Sequence, residues 1–200
     1  MRTTIESIIN TEADAVKNIP VTDSFEKAVE MIFKRVHVGQ GKVVTSGMGK
    51  AGQIANNIAT TLSSTGIPSV FLHASEAQHG DLGIIQEKDI LLAISNSGKT
   101  REITELLELK NNLHPAVPVI VITSNPDSLL ALKADCVIQT GAPAEVCPLG
   151  LTPTTSTTIM TVIGDILVVL LMKKTGFSAE DYAKRHHGGY LGVISKGMRK

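Results

Sequence analysis

Two short loops hold the residue types from which a phosphate site is built. Thr45-Ser46-Gly47-Met48-Gly49-Lys50-Ala51-Gly52 and Ser95-Asn96-Ser97-Gly98-Lys99-Thr100 each mix glycines with hydroxyl side chains and lead into a helical pattern. At a helix N-terminus, unpaired N–H groups and the helix dipole attract anions. Ser95, Ser97 and Thr100 add hydroxyl donors, which suits a phosphate monoester. The plain alternative is that these residues only cap helices and close turns. Two such loops in one chain favour a ligand. Lys50 points the same way: a cation in a first helical turn is unfavourable by about 0.3–1 kcal/mol, a cost that a bound anion would offset.

Acid–base groups stand in the other loops. Glu76-Ala77-Gln78-His79-Gly80-Asp81 follows the second strand candidate, and Glu102 sits in the first turn after the hydroxyl loop. Glu145 precedes Val146-Cys147-Pro148, and His186-His187-Gly188-Gly189 comes near the C-terminus. Each has a structural reading as well: Glu102 suits a helix N-terminus, Glu145 a solvated loop, His186 a turn, and His79 a bond to Asp81.

Other chemistries fit less well. Gly47, Gly49 and Gly52 match G-x-G-x-x-G, but Phe71-Leu72-His73 stands where the acidic ribose partner of a dinucleotide site belongs. The P-loop pattern fails because Val44 replaces a required Gly and Ala51 follows Lys50 in place of Ser or Thr. No His-x-His, Cys-x-x-Cys or His-Glu-x-x-His spacing occurs, and adjacent His186 and His187 diverge, so no metal is required. Cys136 and Cys147 form no disulfide or zinc framework.

These loops need a scaffold. Ile5, Ile8, Ile9, Glu12, Val16 and Ile19 recur at helical spacing, as do Phe25, Ala28, Val29, Ile32, Phe33 and Val36, with Thr22 or Asp23 available as a cap. Two helices therefore precede the first strand. Beyond them, strands predicted at Lys42–Ser46, Ser69–Leu72, Ile90–Ser95, Val119–Thr123 and Cys136–Gln139 alternate with helices. The predicted helices cover Lys50–Ser64, Arg101–Asn111, Asp127–Ala134, Thr155–Lys173 and Ser178–Arg185. This rhythm implies a parallel, doubly wound α/β sheet with helices on both faces, with ligands outside the carboxyl ends of its strands. The composition agrees: 42% hydrophobic and 3% aromatic residues make a core of Ile, Leu, Val and Ala. A net charge of zero argues against a grip on nucleic acid or an anionic membrane. The N-terminus lacks a signal-peptide pattern, and the apolar run Ile159–Met172 contains Gly164 and Asp165. A soluble, cytoplasmic protein is expected.

The hydroxyl loop resembles the Ser-x-Ser-Gly-x-Thr/Ser phosphate loop of SIS (sugar isomerase) domains. Gly47-Met48-Gly49-Lys50, Ser64-Thr65-Gly66, Glu76-Ala77-Gln78-His79-Gly80-Asp81-Leu82-Gly83, Cys147-Pro148-Leu149-Gly150-Leu151 with Pro153-Thr154, and His186 before Gly188-Gly189 resemble the arabinose-5-phosphate isomerase family. The matches keep their order from Lys42 to Gly192. The resemblance implies a flavodoxin-like sheet of five strands and interconversion of ribulose 5-phosphate and arabinose 5-phosphate, without a cofactor. This activity would feed Kdo and hence surface polysaccharide, whether lipopolysaccharide or capsule. It implies Lys50, Glu102, Glu145 and His186 as the catalytic group. Substrate binding would fall to Ser46, Gly47, His79, Ser95, Asn96, Ser97 and Thr100. It further implies a homotetramer with active sites between subunits.

Some features depart from that pattern. His187 stands where a Pro commonly follows the matched His, and Lys99 and Arg101 make the phosphate loop unusually basic. Longer members carry a tandem pair of CBS modules. A single SIS domain over 1–200 is expected here, with N-terminal helices over 1–40, the sheet core and C-terminal helices over 41–200, and no CBS pair. Feedback by an activated end-product sugar, a sugar nucleotide, would then act at the intersubunit cleft. The rival readings are an SIS isomerase for a six- or seven-carbon sugar phosphate and a non-catalytic sugar-phosphate sensor. The sensor reading lacks a helix-turn-helix segment or basic patch.

Overall fold

Strand residues that are apolar on both faces can be buried only between two layers of helices. The computed structural model describes residues 1–197 and shows that arrangement; the end of the expected domain, 198–200, lies outside the described residues. The strands are β1 (Val43–Gly47), β2 (Ser69–Phe71), β3 (Ile90–Ile94), β4 (Val119–Thr123) and β5 (Cys136–Gln139). They form one parallel sheet in the order β2-β1-β3-β4-β5. Every residue of β1, β3 and β4 is buried. The order reverses between β1 and β3, the place where doubly wound sheets open a crevice for ligands.

The helices are α1 (Arg2–Lys17), α2 (Ser24–Ile32), α3 (Gly49–Ser64), α4 (Ala74–Ala77), α5 (Arg101–Leu113), α6 (Leu129–Leu132), α7 (Thr155–Thr175), α8 (Ala179–Arg185) and α9 (Gly189–Gly197). A wider helical turn, Phe33–Val38, continues α2. Alternation along the strands sorts the core into two clusters. Val43, Leu92, Ile122 and Ile138 pack with Ile32 of α2, Ala55 and Ile58 of α3, and Ile163 and Leu167 of α7. Val44, Leu91 and Val121 pack on the opposite face with Ala77 of α4, Ile103 and Leu106 of α5, and Leu130 of α6. Helix α7 is long and apolar enough to cross a membrane by length and composition alone, yet half of its most apolar stretch is buried in this core.

The differences from the sequence reading have local causes. Helix α6 is confined to Leu129–Leu132 because Ser128 caps it, accepting the Ala131 N–H, after a turn at Asn125. Helix α9 was hidden by Gly189, Gly192 and Gly197, which read as helix breakers. Asp23 holds the N-cap position of α2 but makes no capping bond with its side chain.

Candidate active site

The loop after β3 is pinned from below. The Asn96 carbonyl accepts from the Ser124 N–H (2.9 Å), the Ser124 hydroxyl (2.7 Å) and the Thr123 hydroxyl (3.1 Å). The Ser95 and Thr100 hydroxyls lie 2.7 Å apart, and Ser97 Oγ accepts the Lys99 N–H. Gly98 has φ +65°, and a Cβ there would sit 2.1 Å from Ser128 Oγ, so only glycine closes this turn. The Asn96 side-chain oxygen is buried and without a partner among the described residues.

Three helix N-termini converge at this end of the sheet. Met48, Lys50 and Ala51 from the start of α3, Ser97 and Thr100 from the start of α5, and Ser156 and Thr157 from the start of α7 line one cavity of about 600 Å³. The loop residues Ser95, Asn96, Ala144, Glu145, Gly150 and Leu151 share it. None of the N-cap residues Met48, Thr100 and Thr154 caps its helix through its side chain. The positive ends of three helices of 16, 13 and 21 residues therefore bear on one space. Lys50 adds a full positive charge to the wall.

Glu145 supplies the compensating carboxylate. Its Oε2 accepts from the Thr154 N–H (2.7 Å), the Thr154 hydroxyl (2.9 Å) and the Ser156 N–H (3.2 Å), so the side chain completes the N-terminus of α7. Burial alone would raise its pKa. The Ser156 hydroxyl, the two backbone N–H groups and the Thr154 hydroxyl outweigh that and hold it below the usual carboxylate range. The Thr154 N–H, the Thr154 hydroxyl and the Ser156 N–H all fall on one oxygen. Oε1 receives none of these three and is the oxygen left for a ligand.

The remaining predicted residues lie elsewhere. Ser46 is fully buried and its hydroxyl donates to the Leu72 carbonyl at 2.7 Å, so it braces β1 against the end of β2. Gly47 lines a smaller cavity of about 280 Å³ with Gly52, Asn56 and His73. A Cβ on Gly52 would meet the Gly47 carbonyl oxygen at 2.6 Å, so these glycines let α3 press against β1. Glu102, in the first turn of α5, is half-buried and does not line the 600 Å³ cavity. His79 is exposed beyond α4. His186 ends α8; its ring stacks on Tyr182 at 3.7 Å and its Nδ1 lies 3.0 Å from the Tyr182 carbonyl. The structure thus gathers Lys50, Ser95, Asn96, Ser97, Thr100 and Glu145, and leaves Ser46, Gly47, His79, Glu102 and His186 outside.

The sequence reading missed the groups that hold Glu145. Thr154 and Ser156 belong to the run Thr154-Thr155-Ser156-Thr157-Thr158, a density of hydroxyls ahead of an apolar helix that marks an N-terminus in need of partners. It also missed Cys147. The hydroxyl and N–H of Thr152, with the N–H groups of Leu151 and Leu149, lower its thiol to about 6.

A doubly wound α/β domain with an anion-attracting cavity outside the carboxyl ends of its strands defines the class of this molecule. Residues 38–170 match the SIS domain, and the chain belongs to that family. It is 46% identical over 186 residues to the arabinose 5-phosphate isomerase KdsD of Pseudomonas aeruginosa, covering 92% of this chain and 55% of the relative. It is 51% identical over 172 residues to KdsD of Escherichia coli K12, covering 86% of this chain and 51% of the relative. The chain spans about half the length of these curated relatives. A Bacteroides fragilis crystal structure ascribed to a phosphosugar isomerase of capsule formation superposes with TM-score 0.94 at 68% identity, covering 95% and 99% of the two chains. An Escherichia coli CFT073 protein solved in complex with arabinose 5-phosphate superposes with TM-score 0.85 at 34% identity, covering 91% and 95%.

Proposed function

We propose that this protein is an aldose–ketose isomerase that interconverts ribulose 5-phosphate and arabinose 5-phosphate through an enediol. The observation that carries the reading is the shared cavity, where a carboxylate with one free oxygen, a lysine and a hydroxyl-rich phosphate loop line one space. The named activity of the KdsD relatives and the arabinose 5-phosphate bound in a structural neighbour support it.

The chemistry divides among these groups. The phosphate is held by the loop Ser95–Thr100 and the start of α5. Glu145 Oε1 takes the proton from C2 of the open-chain aldose, the pair left behind forms the C1–C2 enediol, and the proton returns at C1 to give the ketose. A carboxylate held below its usual range is a weak base, so the enediol oxygens need strong stabilisation. Lys50 and the helix N-termini supply it. Of the two carboxylates expected to act as base, Glu145 is favoured because Glu102 does not line the cavity. Glu102 acts from its edge, and Ser46, Gly47 and His79 support the substrate-facing loops. His186 handles the oxygen proton and ring opening.

His186 lies outside its own chain's cavity, which supports a homotetramer in which a neighbour supplies this residue. Exposed Ile5, Ile8 and Ile9 on α1 and Tyr190 on α9 offer apolar surface for such contacts. The protein acts in the cytoplasm, serves Kdo-containing surface polysaccharide, and is inhibited by a downstream sugar nucleotide at the intersubunit cleft. The test is formation of arabinose 5-phosphate from ribulose 5-phosphate by the purified chain without added metal or nucleotide. Turnover lost in Lys50→Ala and His186→Ala supports the reading. Binding of the sugar phosphate without turnover favours a sensor instead.

A further inference from the structure

We propose that Glu12, on α1, is a positioning residue for Glu145, acting through Thr155 at the start of α7. Thr155 is fully buried, and its hydroxyl donates to Glu12 Oε1 at 2.9 Å across 143 positions of sequence. The same hydroxyl oxygen accepts the Val146 N–H at 3.2 Å. One threonine hydroxyl therefore ties α1, the first turn of α7 and the residue next to Glu145. Its flanking residues, Thr154 and Ser156, are the donors that hold Glu145 Oε2. If Thr155 is released, the turn that presents those donors and the loop that carries Glu145 loosen together.

Stability alone gives little reason for this carboxylate. Glu12 Oε2 is buried with no partner among the described residues. An unsatisfied buried acceptor is a cost to the fold. Helix α1 buries none of its own residues fully, and Ile5, Ile8 and Ile9 stay exposed, so its core contribution is small. It also precedes the segment that matches the SIS domain, residues 38–170. The bond to Thr155 is the contact through which Glu12 reaches the site. Lys50, on α3, is the other charged side chain lining the cavity with Glu145.

The inference rests on Glu145 as the base, so its test needs a readout that does not require turnover. The full chain labelled with 13C at glutamate carboxyls would be titrated by NMR, following Glu145 in the unaltered protein, Glu12→Ala and Glu12→Gln. Loss of the fixed N–H donors leaves burial unopposed, so Glu12→Ala moves the Glu145 midpoint upward by about half a unit or more. Glu12→Gln keeps an acceptor for Thr155 and keeps the midpoint. Should Glu12→Ala fail to fold, Glu12→Met fills the space without offering Thr155 an acceptor and is expected to give the same shift. An unmoved midpoint in the folded variant, or an equal shift in Glu12→Gln, overturns the proposal. Isomerisation measured alongside should show kcat down about tenfold or more with KM little changed in Glu12→Ala, and restored in Glu12→Gln. If the unaltered chain does not isomerise ribulose 5-phosphate, the functional reading fails while the titration still decides the role of Glu12.

Discussion

The two ends of the sheet each place a carboxylate among backbone N–H groups, and they use it differently. At the amino end, Asp89 is buried and both its oxygens are engaged. Oδ1 accepts the Lys42 N–H at 2.9 Å, while Oδ2 takes the Lys42 ammonium at 2.6 Å and the Gln86 N–H at 2.8 Å. Arg35 closes the same corner, donating to the carbonyls of Asp89, Glu87 and Ala116. At the carboxyl end, Glu145 takes the Thr154 N–H, the Thr154 hydroxyl and the Ser156 N–H on Oε2, and Oε1 receives none of the three. A cavity of about 630 Å³ lies at the amino end, as large as the one beside Glu145, so size does not mark the site. Saturated polar groups hold the fold, and groups fixed on one side but open on the other can meet a ligand.

The largest effect should come from the open carboxylate. Glu145→Gln is expected to lower kcat by about 10²–10⁴-fold with a loss of stability much smaller than that of Asp89→Ala. Asp89→Ala should do the reverse. Breaking a buried, hydrogen-bonded pair costs about 3–5 kcal/mol, read by urea unfolding, with KM unchanged in the folded fraction. A variant pair that behaved alike would break the contrast between the two ends.

How far the sequence revealed this contrast follows from the range of the interactions. The strands were readable because burial on both faces leaves continuous β-branched runs such as Val119–Thr123. The phosphate loop was readable because its hydroxyls and Gly98 are adjacent in the chain. Glu145 stood out as a loop carboxylate, but its selection over Glu102 depends on which helix start lies across the cavity. The Glu12–Thr155 bond leaves no periodic trace, and Glu12 passed as part of the apolar stripe of α1. Gly47, Gly49 and Gly52 match the spacing of a dinucleotide turn whose acidic partner is missing from the sequence. What the spacing alone did not tell is that Gly52 serves the approach of α3 to β1.

Smaller effects sharpen the comparison. Lys50→Met should weaken binding of inorganic phosphate or ribulose 5-phosphate roughly ten- to a hundredfold by calorimetry, the loss of one charged hydrogen bond. The pH dependence has a definite sign. Glu145 has a lowered pKa in the folded state, so its stabilising effect is present above the unfolded value and is lost as pH falls through the folded one. The stability difference between the unaltered protein and Glu145→Gln should therefore hold at neutral pH and fade only in acid below the usual carboxylate range.

The two cysteines give the mildest test. Burial raises the thiol of Cys136, at the amino end of β5, with Lys27 opposing and Asp135 reinforcing the effect. Cys147, in the loop that contributes Gly150 and Leu151 to the cavity, is lowered to about 6. At neutral pH iodoacetamide should modify Cys147 well before Cys136, and ribulose 5-phosphate should slow the reaction. Equal rates would show that the loop donors do not act on that sulfur.

The central claim is that Glu145 moves the carbon-bound proton, and solvent-exchange NMR addresses it directly. Ribulose 5-phosphate in D2O should exchange a C1 hydrogen for deuterium in the presence of the unaltered chain. Glu145→Gln, folded by the same spectra, should leave that hydrogen in place. Exchange at the full rate in Glu145→Gln would contradict the account and move the base to another residue.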